Sequence, residues 1–187
     1  MTQTKPTTIT ATYRIVTPMF CSGMDRLQPE LRPASFKGAL RFWWRAAEWG
    51  RLAEYRDITR LREREDKLFG STRTGQARFR LALRWKTSPV DSSAYVRDWP
   101  ANTGTGGSAY LGYGITQSGK KQRGNFKPHR EGWPTGQEIQ ATLRFSKMIS
   151  DGEIHNVKRS LTLLGTFGGL GSRSRRAFGS LSLIGFD

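Results

Sequence analysis

From Ala77 to Trp85 the chain alternates without a break. Ala77, Phe79, Leu81, Leu83 and Trp85 fall on one side, and Arg78, Arg80, Ala82 and Arg84 on the other. That period of two is a half-buried strand: one face wants a core and the arginine-bearing face wants water or a counter-charge. The same alternation recurs at Thr8 to Val16, where Ile9, Ala11, Tyr13 and Ile15 share a side, and at Ile139, Ala141, Leu143 and Phe145. A fourth strand is expected at Ser180 to Phe186.

The intervening segments change to helical spacing. Phe36, Ala39, Leu40, Trp43, Ala46 and Ala47 predict a helix over Phe36 to Trp49, with Ser35 as N-cap and Gly50 as its stop. A more polar helix fits Asp57 to Leu68, ending near Gly70. Ser150 and Glu153 form a capping box ahead of the stripe Ile154, Val157, Leu161 and Leu164, with Gly165 as the expected stop. Strand, helix, strand, strand, helix, strand is the order of the α+β, ferredoxin-like (βαββαβ) arrangement, an antiparallel sheet with helices on one face. A chain of 187 residues fits one such domain, 1–187. Between strands two and three lies a long basic insertion, 87–136, far beyond an ordinary connection.

Charge narrows the partners. Thirty-one Lys and Arg against fifteen Asp and Glu leave a net charge of +16, which self-repels unless a polyanion neutralises it. No apolar run approaches the roughly 20 residues of a membrane span, and the polar start lacks a signal-peptide core, so a cytoplasmic protein without membrane contact is expected. Cys21 is the single cysteine and His129 and His155 the only histidines, which all but removes a zinc cage; no metal and no cofactor is expected.

Two segments carry the candidate chemistry. Lys37, Arg41 and Arg45 stand at i, i+4 and i+8 of the first helix beside Trp44, with few carboxylates nearby in sequence, a pattern suited to an RNA backbone. Replacing these three by alanine is expected to leave the fold intact. The segment from Gly165 to Gly179 places Gly168, Gly169 and Gly171, which can adopt positive φ and form an anion-binding nest, ahead of Arg173, Arg175 and Arg176, whose forked donors match phosphate oxygens. Phe178 would add a face for base stacking. Lys120, Lys121 and Arg123 extend the basic character into the insertion.

Several of these pieces coincide with a known family. Pro33-Ala-Ser-Phe-Lys-Gly-Ala-Leu-Arg-Phe-Trp-Trp-Arg45, Leu68-Phe-Gly-Ser-Thr72, Tyr110-Leu-Gly-Tyr-Gly114 and the glycine-rich loop with Arg173 to Phe178 resemble the RAMP superfamily. Thr17-Pro-Met-Phe20, Gln28-Pro-Glu-Leu-Arg-Pro33 and the double Trp are similar to the Cmr subunit one family of type III-B CRISPR effector complexes. The resemblance spans nearly the whole chain. It implies a non-catalytic RNA-binding subunit that contacts the 3′ region of a guide RNA or its paired target RNA, with other RAMP subunits and a large subunit as partners. The family usually joins two ferredoxin-like units, whereas this sequence supplies one set of elements.

The competing reading is an endoribonuclease. Some RAMP relatives cut RNA with an Asp in the loop after strand one, and Asp25 stands in such a loop; a turn Asp bonding its own backbone is the plainer account. His155 falls on the Lys158 and Arg159 side of its helix, away from the apolar stripe.

Overall fold

The structure, a computed structural model, describes residues 8–25, 28–51, 57–86, 111, 115, 131–147 and 149–187. Four strands, β1 (Thr8–Ile15), β2 (Phe79–Trp85), β3 (Glu138–Phe145) and β4 (Leu181–Phe186), form one sheet in the order β2-β3-β1-β4. All three pairings are antiparallel, which is the ferredoxin-like α+β arrangement. Packed with the sheet among the described residues are the helices α1 (Pro33–Arg51), α2 (Ile58–Phe69) and α3 (Asp151–Phe167), with a 3-10 turn at Ser174–Arg176.

Alternation decides which side of the sheet is covered. Ile9, Ala11, Tyr13 and Ile15 of β1, and Ile139, Ala141 and Leu143 of β3, are buried under Phe36, Leu40 and Trp44 of α1 and Val157, Leu161 and Leu164 of α3. The Tyr13 hydroxyl crosses this layer and donates to the Leu161 carbonyl at 2.9 Å, while burial holds the phenol far above its ordinary pKa. At full burial each such aliphatic or aromatic side chain contributes about 1.5–3 kcal/mol, so this layer is the main source of stability.

Three boundaries differ from the sequence reading. α1 begins at Pro33, not after a Ser35 cap, because proline's fixed φ and missing N–H suit the first helical position. It also runs through Gly50 to Arg51, held there by Arg51 donating to Glu48 and to Asn156 of α3. α3 passes Gly165 and ends at Phe167, capped by Gly168. Gly165 has a packing role instead: a Cβ there would lie 2.5 Å from the Leu183 Cβ of β4. The capping box holds, with the Ser150 hydroxyl accepting from the Glu153 N–H at 3.2 Å and the Glu153 carboxylate accepting from the Ser150 N–H at 2.8 Å. At the other helix cap, Gly70 ends α2 with φ +77.

Candidate nucleic-acid interface

The buried stripe of α1 is Phe36, Leu40, Trp44 and Glu48, one position away from the expected Trp43 and Ala47 line. This shift changes the roles of two candidates. Trp44 is 2% exposed and packs edge-on against Phe69 of α2 at 5.8 Å, so it offers no face to a base. Arg41 and Arg45 are ion-paired. Arg41 Nε donates to Glu65 at 2.8 Å, Arg45 Nη1 donates to the same carboxylate at 3.2 Å, and the Glu65 side chain is 8% exposed. The Arg41 guanidinium also lies 5.7 Å over the Phe69 ring. The carboxylate missing from the sequence neighbourhood is supplied by α2, 20 and 24 residues downstream. These arginines therefore tie α1 to α2, and the expectation that all three basic residues can be removed at no cost to the fold is corrected. Lys37 is the third, with its ammonium 5.8 Å from the Phe79 ring. Burial, and next the charge of Arg41, hold its pKa below the ordinary lysine value.

The glycine-rich loop is likewise built into the fold. Leu170 N–H donates to the Gly179 carbonyl at 2.8 Å, Ser172 N–H to the Phe20 carbonyl at 2.8 Å, and Gly179 N–H to the Pro18 carbonyl at 2.7 Å. The loop thus lies against the segment that follows β1. Of the three glycines expected at positive φ only Gly171 has it, at +87, where a Cβ would collide with the Phe20 backbone. Gly168 and Gly169 serve close approach: a Cβ on Gly168 would come within 2.6 Å of Trp43 Nε1, and one on Gly169 within 2.8 Å of the Gly179 carbonyl oxygen. With the Gly168, Leu170 and Ser172 amides already bonded inside the protein, the expected nest of consecutive N–H donors is not formed. Phe178 is 3% exposed and packs edge-on against Phe20, so its expected stacking face is inside the molecule.

What the loop does create is a groove of about 610 Å³ between itself, α1 and the segment after β1. Phe42, Trp43 and Phe167 line it, and Arg45 and Arg175 flank it. Phe42 is 45% and Phe167 69% exposed, and Trp43 bridges them at centroid distances of 5.3 and 6.0 Å. Arg175 holds its guanidinium 5.8 Å from the Phe42 ring. Its position is fixed by the 3-10 turn, which Arg173 and Ala177 flank in left-handed conformation at φ 61 and 65. A side chain such as Arg173 rarely adopts this geometry, and it persists where surroundings impose it. Exposed rings beside a guanidinium suit unpaired bases and their phosphates.

The structure brings Arg45, Gly168, Gly169, Gly171 and Arg175 to this groove and leaves Lys37 on another face of α1. Lys120, Lys121 and Arg123 lie outside the described residues, as does His129. Phe42, Trp43 and Phe167 are not among the sequence candidates: Trp43 counts there with the apolar line of the helix, and Phe167 falls in the glycine-rich segment. The double Trp43-Trp44 was the available signal, since of two adjacent helical positions only one, Trp44, is fully buried while Trp43 reaches the groove. Asp25 is exposed in the loop after β1, and among the described residues no three His, Cys, Asp or Glu side chains are grouped to hold a metal ion. His155 is exposed on α3. No helix among the described residues is long and apolar enough to cross a membrane.

The ferredoxin-like sheet, closed by a glycine-rich loop over a basic, aromatic groove, is that of a known class: the chain belongs to the RAMP superfamily, whose family model matches residues 12–182. Within it, the chain is 29% identical over 177 residues to the CRISPR system Cmr subunit Cmr1-2 of Pyrococcus furiosus, covering 90% of each. It is also 29% identical over 162 residues to Cmr1-1 of the same organism, covering 86% of this chain and 43% of that one. The fold matches the crystal structure of Cmr1 from Pyrococcus furiosus with a TM-score of 0.63 at 22% identity, across 96% of this chain and 50% of the other. A chain of the type III-B Cmr-beta complex bound to cognate target RNA matches with a TM-score of 0.63 at 13% identity, across 96% and 54%. The chain therefore spans about half the length of these longer relatives and nearly all of the shorter one.

Proposed function

We propose that this chain is a single RAMP unit, 1–187, acting as an RNA-binding, non-catalytic subunit of a type III-B CRISPR effector complex. In this role it holds single-stranded guide or target RNA in the groove between α1 and the glycine-rich loop, alongside other RAMP subunits and the large subunit. The observation that carries the reading is the row of Phe42, Trp43 and Phe167 with Arg175 against it. Each stacked base contributes about 1–3 kcal/mol in such sites without regard to sequence, which suits a protein that leaves base reading to RNA pairing. The net charge of +16 and the Cmr1 relatives point the same way.

The test is equilibrium binding of a labelled single-stranded RNA across a salt series. Arg173→Ala, Arg175→Ala and Arg176→Ala together are expected to lower the salt slope by about 2, at roughly 0.7 per lost phosphate contact, and to weaken every sequence alike. Unchanged affinity and slope would remove the groove from the reading. The endoribonuclease alternative is tested in the same tubes: RNA is expected to stay intact with Mg²⁺ or Mn²⁺, and metal-dependent cleavage lost in Asp25→Ala would replace the proposal.

A further inference from the structure

The face of the sheet opposite the helices is not used by the groove, and its charges are arranged unevenly. Pairing in register brings Arg14 opposite Glu138, an attractive cross-strand pair with Nη2 2.8 Å from the carboxylate, and Lys86 approaches the other oxygen at 3.5 Å. The Arg14 hydrogen bond, with Lys86 adding to it, keeps the Glu138 carboxyl below its usual range. Six residues along β3 the pattern inverts. Arg144 is directly opposite Arg80, and Arg84 projects from the same face of β2 four residues on, roughly 13 Å away at ~3.3 Å per residue. All three are exposed, and no carboxylate among the described residues pairs with them. Like charges directly opposite on neighbouring strands are destabilising, so the fold keeps a repulsion here that a bound anion would relieve.

We infer that this open face is a second RNA contact, and that its ligand is the sugar–phosphate backbone of a base-paired RNA duplex. Two observations choose the duplex. No aromatic side chain is on this face among the described residues, so unpaired bases would find no stacking platform, in contrast to the groove. Between the arginines and the Arg14–Glu138 pair the face carries short hydroxyls and an amide, Thr8, Thr10, Thr142 and Gln140, beside the small Ala82 and, on β4, Ile184; the polar groups can meet phosphate and 2′-hydroxyl oxygens that a paired helix presents outward. The inference takes from the groove reading only that the polyanion is RNA, and it stands on different residues.

The test uses the full chain with Arg80→Thr, Arg84→Thr and Arg144→Thr, since threonine suits exposed strand positions and removes the like-charge pair. Affinity for a blunt RNA duplex and for a single strand of equal length is measured over a salt series. Duplex affinity is expected to fall at least about tenfold with a slope lower by about 2 to 3, while single-strand affinity stays within about twofold. The triple lysine variant is expected to restore most duplex binding. Thermal stability is expected to be unchanged or higher, which separates lost contact from lost fold. Duplex affinity and slope equal to the wild type would overturn the inference, as would a loss of equal size on both RNAs; an acidic protein partner for this face would give the first of these results. Failure of the groove variants on single strands leaves this result untouched, so the two readings fail separately.

Discussion

Two sets of arginines look alike in sequence and differ in use. Arg41 and Arg45 of α1 are spaced at i and i+4, and Arg173, Arg175 and Arg176 crowd a loop; both are dense basic patches. In the fold the first pair converges on one nearly buried carboxylate, Glu65, and the loop holds Arg175 beside exposed rings. The difference shows that spacing alone does not make a basic cluster a ligand site: where the fold supplies the anion, as Glu65 does for Arg41 and Arg45, the charges are used inside the protein. Charge-assisted bonds to a buried Glu65 already use the helix arginines.

The comparison breaks most visibly at the backbone that positions the loop. Gly171→Val forces a β-branched residue to φ +87 and drives its Cβ into the Phe20 backbone. A loss of about 2–4 kcal/mol is expected in denaturant unfolding, together with weakened RNA binding, because strain and displacement act on one loop that serves both. Full stability in this variant would show that the loop can be re-seated.

Next in size is the internal pair. Glu65→Ala leaves two guanidiniums without their anion at the α1–α2 contact and is expected to cost about 2–3 kcal/mol. Single-strand RNA affinity, measured well below the midpoint, is expected to stay within about twofold, since Phe42, Trp43, Phe167 and Arg175 are untouched and Arg45, released from Glu65, keeps its charge beside the groove. The converse variant sharpens the contrast: Phe42→Ala with Phe167→Ala is expected to lower that affinity by about 1–3 kcal/mol per stacked base while shifting stability little, the residues being 45% and 69% exposed. Similar losses of stability in both variants would dissolve the distinction.

Much of the fold was legible because the signals were local. Alternation marked three strands, the fourth was expected after the glycine-rich segment, and the Ser150 and Glu153 box marked the start of α3 to the residue. Helix ends were legible less well: Gly50 and Gly165 read as stops, yet Arg51 contacts across α3 and close packing on Leu183 carried the helices past them. The candidate site was legible in part. Arg175 and the glycines reach the groove, but Trp44 and Phe178 were assigned outward and lie in cores. Choosing which of Trp43 and Trp44 faces inward required knowing that Glu48 is buried between Arg51 of its own helix and Arg64 of α2, the second a contact between elements. The pairing of Arg41 with Glu65 was hidden for the same reason.

The smallest effect separates internal charge from ligand-facing charge by pH. Glu153 joins the start of α3 to the entry of β2 through Arg78, the residue before that strand, whose Nη1 is 2.9 Å from its carboxylate. Burial by itself would raise the Glu153 pKa, but hydrogen bonds from the Ser150 N–H and hydroxyl, with the charge of Arg78, outweigh it and leave the carboxyl below its ordinary value. A group that is more acidic folded than unfolded binds its proton first in the unfolded chain. Its contribution is therefore complete above the unfolded value, near 4.3, and is lost as pH falls through the lower folded value. Glu153→Gln is expected to cost on the order of 1 kcal/mol at neutral pH, in the range of a lost helix cap, and to flatten the acid limb of stability against pH, measured by urea midpoints between about pH 3 and 7. RNA affinity is expected to stay unchanged near pH 7 in the same variant, since the groove arginines neither contact nor depend on this carboxylate. An acid limb as steep as the wild type's would mean that Glu153 contributes nothing through its charge, and that the capping of α3 rests on Ser150 alone.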